Sequence, residues 1–589
     1  MRPLRSVLIA NRGEVAVRII HACRELGMRS IAVYSDEDRG ALHTRLADEA
    51  HRLGPAAASE SYLHAERVLA VAGRSGADAI HPGYGLLSEN PRFASVVLDA
   101  GLIFIGPSPQ VIAQMGDKVA AREAAQRSGI PQLPGSTGPV PDLAAAVQAA
   151  ERIGYPLLIK ACFGGGGRGM RIVHCREDLE AGLQAAAREA NAAFGCADVY
   201  LERYVPRGRH VEVQILADAH GNIVHLGDRD CSLQRRHQKL IEEAPAPGLS
   251  PGLRRALVDA ALMLARDVGY RNAGTVEFLV ETRTDDFYFL EMNTRLQVEH
   301  GVSELISGID IVQAQMRIAA GEPLGFTQQD VQMRGCAMQA RIAAEDPFEQ
   351  FRPHSGTIRH MRTPLGPWLR FDVGIEAGDS ISRYYDSMFG KLQAWGPDRE
   401  SARKRLAIGL ASLEVEGVPT TAPCLREVLA QPDFVAVTHD TGSLERDWLP
   451  RSALPSAPAP VVREAEPASA LCERRVRLST SQGTIEVAVF GHVQKARPVR
   501  GVVQTATLQS DVDPLAPIDG AVVKVCVQAG QRVEKGAVLV ILEAMKMELP
   551  VTAPRAGIVE EVRVAAGDVT ARGNLLVKLA PVQPPVAGE

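Results

Sequence analysis

The chain has no apolar run approaching the roughly 20 residues of a membrane-spanning helix, no C-x-x-C pair and no marked excess of either charge. The first absence argues against a membrane protein. The second matters because the nine cysteines (Cys23, Cys162, Cys175, Cys196, Cys231, Cys336, Cys424, Cys472 and Cys526) show no metal-ligand spacing, which fits a reducing compartment. The third, a net charge of −5, removes any electrostatic ground for a nucleic-acid partner. A signal segment is missing as well: Arg2 and Arg5 precede only residues 7–10 before the polar Asn11-Arg12. That is too short for a signal h-region, and with folded sequence expected from Ser6 there is no room for a transit peptide. The expected location is the cytoplasm. What is present is ordinary globular composition, 46% hydrophobic and 23% charged over 589 residues, enough for about four domains at roughly 150 residues each.

The most informative segment lies near the C-terminus. Gly520, Gly530 and Gly536 recur 37 positions later as Gly557, Gly567 and Gly573. Short Val/Leu/Ile-rich stretches separate them, so two similar halves of a small all-β unit are expected. Lys546, in Glu543-Ala544-Met545-Lys546-Met547, falls at the turn joining the halves. A lysine presented there, flanked by methionines, is open to a modifying ligase; an exposed hairpin lysine beside two packing methionines is the plainer alternative. The segment resembles the biotinyl domain of biotin-dependent carboxylases through Ala544-Met545-Lys546-Met547. Lipoyl domains share the architecture but usually lack the methionine pair.

Upstream, residues 6–10, 31–34, 79–85 and 103–106 read as strands alternating with helical segments, which argues for a parallel, doubly wound α/β domain of about a hundred residues. Residues 131–204 change pattern and suggest a small mobile lid, and 205–446 suggest a larger α+β catalytic domain. Residues 454–470, rich in Ala, Pro, Ser and Glu, read as a linker. Between Arg474 and Phe490, two alternating segments flank Ser481-Gln482-Gly483 as a hairpin of unassigned role. A linker suits a tethered carrier, because its reach sets the carrier's effective concentration at a distant site.

Two stretches carry chemistry. In Phe163-Gly164-Gly165-Gly166-Gly167-Arg168-Gly169-Met170, after a strand ending at Lys160, successive backbone N–H groups can surround phosphate oxygens while the lysine neutralises charge. By itself this run also fits a flexible loop. In Phe289 to His300, an extended chain would project Glu291, Asn293, Arg295, Gln297 and Glu299 from one face, although an amphipathic strand wetted on one side would look alike. Glu277 adds a carboxylate inside an apolar strand, and Glu277, Glu291 and Asn293 form an all-oxygen set suited to Mg²⁺ held with nucleotide phosphates.

Over residues 4–446 the chain resembles biotin carboxylase of the ATP-grasp superfamily. The motifs are Ile9-Ala10-Asn11-Arg12-Gly13-Glu14, His81-Pro82-Gly83-Tyr84-Gly85, Gly116-Asp117-Lys118, Arg229-Asp230-Cys231-Ser232 with Gln234-Arg235-Arg236-His237-Gln238-Lys239, Glu242 to Pro247, and Tyr384-Tyr385-Asp386-Ser387-Met388. The resemblance implies an α/β and α+β fold: a Rossmann-like N-terminal domain over 1–115, an ATP-grasp region with lid over 116–204, and a C-terminal biotin carboxylase domain over 205–446. A linker with a small β-hairpin would follow over 447–512, then an all-β biotinyl barrel or sandwich over 513–581.

Carried over by position, Lys118, Lys160, Gly166, Gly167, Met170, Glu202, His210, Gln234, His237, Glu277, Leu279 and Glu291 are expected to contact ATP, and Glu277, Glu291 and Asn293 to hold Mg²⁺ or Mn²⁺. Arg295, Gln297 and the Val298 backbone are expected to grip bicarbonate, with Glu299 as base, Arg341 on the biotin enolate and Lys239 beside the phosphate. The implied reaction makes carboxyphosphate, which decomposes to CO₂ and phosphate before biotin, covalently held on Lys546, is carboxylated. Departures from the family pattern are Cys162-Phe163 before the glycine loop, Gly301 after Glu299-His300, Gln339 near Arg341, and Pro517-Ile518-Asp519-Gly520.

The expected protein is the α subunit of an acetyl-CoA or propionyl-CoA carboxylase, since the 65 or so residues between 447 and 512 are too few for a carboxyltransferase. Expected partners are a separate carboxyltransferase β subunit and a biotin protein ligase, with a carboxylase dimer or larger α/β assembly and neither nucleic acid nor membrane. Other acceptors (3-methylcrotonyl-CoA, geranyl-CoA, pyruvate), a carrier-only biotinyl protein, and an ATP-grasp ligase joining a carboxylate to an amine are the alternatives.

Overall fold

The computed structural model describes residues 4–136, 138–162, 170–194, 196–281, 284–449, 472–480, 483–491, 513–544 and 547–580. Gly166, Gly167, Phe163, Lys546 and the linker at 454–470 lie outside them. No helix among the described residues is long and apolar enough to cross a membrane.

The N-terminal sheet is parallel and has five strands, ordered Glu49–Gly54, Arg29–Ser35, Ser6–Ile9, Ala79–His81, Ile103–Phe104. Both faces of its central strand are covered, as the apolar run requires. Val7 and Ile9 join the core built on helix Gly13–Glu25, while Leu8 points the other way, toward Val68, Val71 and Phe93. The edge strand Glu49–Gly54 was not expected. Its sequence Glu-Ala-His-Arg-Leu-Gly is half polar, and the strand lies at an edge of the sheet.

At the C-terminal end of this sheet two motifs lock together. The Asn11 amide donates to the carbonyls of Pro82 (2.7 Å) and Tyr84 (2.8 Å). Gly83 has φ +64°, and a Cβ there would stand 2.8 Å from Asn11 Nδ2, so only glycine fits.

The expected lid region is a three-stranded antiparallel sheet, Arg171–Val173, Leu157–Ala161, Val199–Arg203. Helices Leu143–Ile153 and Leu179–Phe194 flank it. The catalytic region is organised by one eight-stranded antiparallel sheet. Its order is Asp286–Asn293, Asn272–Glu281, Gly208–Ala217, Ile223–Arg235, Gln238–Ala244, Cys336–Ala343, Met388–Gly396, Leu369–Val373. Strand Gly208–Ala217 shows why the sheet forms here: Val211, Val213 and Ile215 enter the core under helix Pro251–Asp267, leaving His210, Glu212 and Gln214 on the opposite face.

The C-terminal unit is all-β, as expected. It has a four-stranded sheet (Met547–Thr552, Val538–Ala544, Gly520–Val525, Val569–Thr570) and a three-stranded one (Arg532–Val533, Gly557–Val562, Val577–Ala580). The 37-residue repeat becomes a reciprocal exchange of hydrogen bonds. Gly530 N donates to Val559 O and Gly567 N to Val522 O, both at 2.8 Å; Gly536 N donates to Ala553 O and Gly573 N to Ala516 O, again at 2.8 Å. All four donor glycines have φ between +86° and +95°, the backbone region that favours glycine. Strands Cys472–Thr480 and Gly483–Gly491 pair antiparallel, the expected hairpin.

Candidate active site

The polar face of the eight-stranded sheet assembles the site by register. Glu277 stands beside Glu212 on one side and Glu291 on the other, and Thr275 beside Gln214 and Asn293. Arg229 is the cross-strand neighbour of Glu212, Glu242 of Gln339, and Arg341 of Lys391. A strand was expected through Glu299, but it ends at Asn293, and residues 294–299 fold as turns before helix His300–Ser307. The polar groups converge nonetheless, because these turns fold Arg295, Gln297 and Glu299 back over the sheet.

Lys239 is the hub. Its Nζ lies 2.6 Å from Glu212, 2.9 Å from Glu277 and 2.7 Å from Glu299. Arg341 bridges Glu242 through Nε (2.5 Å) and Glu299 through Nη2 (3.0 Å). Arg229, wholly buried, is held by Glu212 (2.5 Å), Gln214 (2.8 Å), Ser303 (2.9 Å) and Thr275 (3.1 Å). A buried charge of this kind persists only when it is paired and its donors find partners, and four of the five N–H groups do so here.

Arg295 is held by Glu89 (2.8 Å), Gln297 (2.8 Å) and Asn293 (2.9 Å). Both amides reach Glu277, Asn293 at 2.7 Å and Gln297 at 3.2 Å. His210 Nε2 approaches the same carboxylate at 2.8 Å.

These contacts separate the carboxylates electrostatically. Burial alone would raise Glu299, and Glu212 adds to that, but Lys239, Arg341 and Arg229 overcome both and hold it at about 2. Burial is likewise outweighed at Glu277, by Lys239 and His210, and at Glu212, by Arg229 and Lys239; both are lowered. Burial wins at Glu242, with Arg341 opposing it, and at Glu291, where Glu277 adds repulsion; both are raised. The surrounding carboxylates push the Lys239 ammonium well above its usual value despite burial.

A second cluster lies on the three-stranded sheet. Glu202, buried on strand Val199–Arg203, pairs with Lys160 (2.5 Å) and with Arg122. Burial would raise its carboxyl, and the two cations lower it instead. Lys118 opens helix Lys118–Arg127, whose end is capped by Asp117 Oδ1 on Val119 N (2.9 Å) and Ala120 N (3.2 Å). Burial lowers Lys118, with Glu291 opposing, so this lysine feels both clusters. Gln234 and His237 sit at the Ile223–Arg235 hairpin end, with His237 at φ +64°, and Leu279 is the cross-strand partner of His210. Met170 and Leu279 are half-buried.

Sequence reasoning assigned no role to Glu212, Glu242, Glu89, Arg122 or Lys391. Glu212 carried the same signal as Glu277, a carboxylate alternating with valines in His210-Val211-Glu212-Val213-Gln214.

A sheet face of paired lysine, arginine and carboxylate groups beside a small three-stranded sheet, followed on the chain by a two-half β unit, defines an ATP-dependent enzyme joined to a carrier. Four family descriptions match in that order: "Biotin carboxylase, N-terminal domain" over residues 3–112, "Carbamoyl-phosphate synthase L chain, ATP binding domain" over 117–327, "Biotin carboxylase C-terminal domain" over 339–446, and "Biotin-requiring enzyme" over 516–579. A biotin carboxylase from a Nostoc species is 49% identical over 429 residues, 73% of this chain and 96% of its own length. The propionyl-CoA carboxylase alpha chain of Ruegeria pomeroyi is 36% identical and covers 97% of this chain and 99% of its own. Among solved structures, the biotin carboxylase domain dimer of Hydrogenobacter thermophilus 2-oxoglutarate carboxylase, with MgADP, ADP and bicarbonate, superposes with TM-score 0.74. It is 44% identical and covers 76% of this chain and 98% of that one. The chain belongs to the biotin-dependent carboxylase family and carries both the biotin carboxylase and the biotinyl domain. Its reaction is the ATP-dependent carboxylation of biotin.

Proposed function

We propose that the protein is the α subunit of an acyl-CoA carboxylase, which carboxylates biotin on its own Lys546 for delivery to acetyl-CoA or propionyl-CoA by a separate carboxyltransferase subunit. Likeness to a propionyl-CoA carboxylase alpha chain along nearly its full length supports this over the alternatives. The observation that carries the chemistry is the placing of Glu299 between Lys239 and Arg341.

In this reading Arg295, Gln297 and the Val298 backbone grip bicarbonate, and Glu299 takes its proton. Lys239 and Arg341 now neutralise Glu299; arriving anionic oxygens compete for the same two cations. As they do, Glu299 loses the charges that hold it near 2 and becomes a stronger base with substrate in place. Lys118, Lys160, His210, Gln234, His237, Met170, Leu279 and the glycines at 166 and 167 serve the nucleotide, with Glu202 fixing Lys160.

The residues fit a divalent cation at Glu277, Glu291 and Asn293. His210, Glu212 and Glu277 also bring ligand atoms within 4.8 Å of one another, but Lys239 already occupies the Glu212–Glu277–Glu299 side. The Glu277–Glu291 edge is where two carboxylates repel, raising Glu291, and a cation relieves that repulsion. When bound, Mg²⁺ supplies charge neutralisation for phosphoryl transfer. A carboxylase dimer and a biotin protein ligase complete the proposed partnership.

The test is ATP cleavage by the purified chain with free biotin, with and without bicarbonate, followed by transfer from the biotinylated chain to a panel of CoA thioesters and pyruvate with the co-purifying carboxyltransferase. Cleavage indifferent to bicarbonate would overturn the carboxylation assignment; turnover of pyruvate alone would overturn the acceptor class.

A further inference from the structure

Lys391 has no role in the reaction as assigned above. It is wholly buried, in the middle of strand Met388–Gly396, between Arg341 on one neighbouring strand and Asp372 on the other. Its Nζ donates to the Val298 carbonyl at 2.8 Å and lies 3.4 Å from Glu14 and 3.7 Å from Asp372. Glu14, in the first turn of helix Gly13–Glu25, also accepts the Tyr84 hydroxyl.

The turn over residues 297–299 belongs to no strand, so its carbonyls need partners from elsewhere. Gln297 O accepts from His300 Nδ1 at 2.6 Å. Burial, reinforced by Lys391, pushes the His300 imidazole well below its usual value, so that ring donates as a neutral group. Val298 O is taken by Lys391. Fixing that carbonyl fixes the backbone torsion between the Val298 N–H and the Glu299 side chain, the two groups placed on bicarbonate.

We propose that Lys391 is a positioning residue for the carboxylation step: anchored by Glu14, it holds the Val298 carbonyl and so aims Val298 N–H and Glu299 at one bicarbonate ion. The anchor ties the base to the N-terminal α/β domain through a buried ion pair. Asp372 does not compete for this role, because Arg370 grips it with two bonds of 2.9 Å and Gln393 adds one of 3.0 Å. The proposal rests on the bicarbonate reading of residues 295–299.

The test compares the parent with Lys391→Met and with the double variant Lys391→Met/Glu14→Gln. The double variant removes both charges of the ion pair together and leaves no buried ion unpaired there. Thermal unfolding, KM for ATP, and kcat and KM for bicarbonate in biotin-dependent ATP cleavage are measured for each. The double variant is expected to fold like the parent, to keep KM for ATP within about twofold, and to lose on the order of 10- to 100-fold in kcat/KM for bicarbonate, the scale of a misplacement near 1 Å. A folded double variant with parental kcat/KM for bicarbonate overturns the proposal. So does failure of both variants to fold, which assigns the lysine to stability alone. A parent that cleaves ATP without regard to bicarbonate overturns the underlying reading of the site instead.

Discussion

Replacing Lys239 by methionine keeps most of the unbranched stem and removes one charge from among Glu212, Glu277 and Glu299, each within 3 Å of its Nζ. Lys239 is the largest of the influences that lower Glu299 to about 2 from an ordinary 4.5. At about 1.4 kcal/mol per tenfold change in proton affinity, that depression corresponds to about 3 kcal/mol. Breaking a buried pair from one side costs a similar amount, about 3–5 kcal/mol. The sign follows from linkage: a carboxyl depressed in the folded state stabilises it above 4.5, and that stability is lost as pH falls through 2. In the variant the folded Glu299 binds its proton more tightly, so the stability it loses on acidification, which begins near 4.5 in both proteins, is smaller. Thermal unfolding from pH 7 to pH 3 should show a midpoint lower at pH 7 by roughly 6–12 °C at about 2–4 °C per kcal/mol, with the gap to the parent narrowing as the pH falls below 4.5. A variant whose midpoint falls with pH along the parental curve would refute the hub assignment.

Two further outcomes follow from single groups. Lys546→Ala should abolish transfer to any acceptor while leaving carboxylation of free biotin measurable, checked by comparing acceptor-dependent with free-biotin-dependent ATP cleavage. Gln339 is wholly buried and donates to Glu242 at 3.1 Å. Gln339→Glu therefore sets two carboxyls face to face, of which one must keep its proton. A carboxyl raised in the folded state loses its stabilisation as pH rises, so the variant's thermal midpoint should fall increasingly below the parent's from about pH 4.5 to about pH 6, by an amount corresponding to about 1–2 kcal/mol, and stay there at higher pH.

Legibility in the sequence depended on distance along the chain. The parallel sheet was visible because its central strands are short apolar runs, whereas Glu49–Gly54 was not, being half polar. The 37-residue repeat was visible as glycines, and their reciprocal hydrogen bonds show why glycine stands there. Glu277 was legible as a carboxylate in an apolar strand. Lys391 was not, because nothing local ties it to Val298, 93 positions away; the Glu89–Arg295 contact spans 206 positions. The alternation through Glu299 predicted convergence for a reason that held only as far as Asn293, after which the chain turns and the nearby His300 and the distant Lys391 fix its carbonyls.

The resting site neutralises its own base, and on the proposed reading this has a kinetic signature. In the free enzyme Glu299 is held at about 2 by Lys239, Arg341 and Arg229 against burial and Glu212, too weak a base to take a proton from bicarbonate readily. Phosphate and bicarbonate oxygens that draw Lys239 and Arg341 toward themselves leave the carboxylate buried with less compensation, and its proton affinity rises. The acid limb of kcat/KM reports the free enzyme, and that of kcat the loaded one. With bicarbonate counted as the ion present at each pH, kcat should therefore begin to fall at higher pH than kcat/KM. In Arg341→Lys, where a single ammonium replaces a fork that binds both Glu242 and Glu299, the two limbs should move closer together. Coincident limbs in the parent would show that Glu299 keeps its cations throughout the cycle, and the base would then have to be sought elsewhere on this sheet.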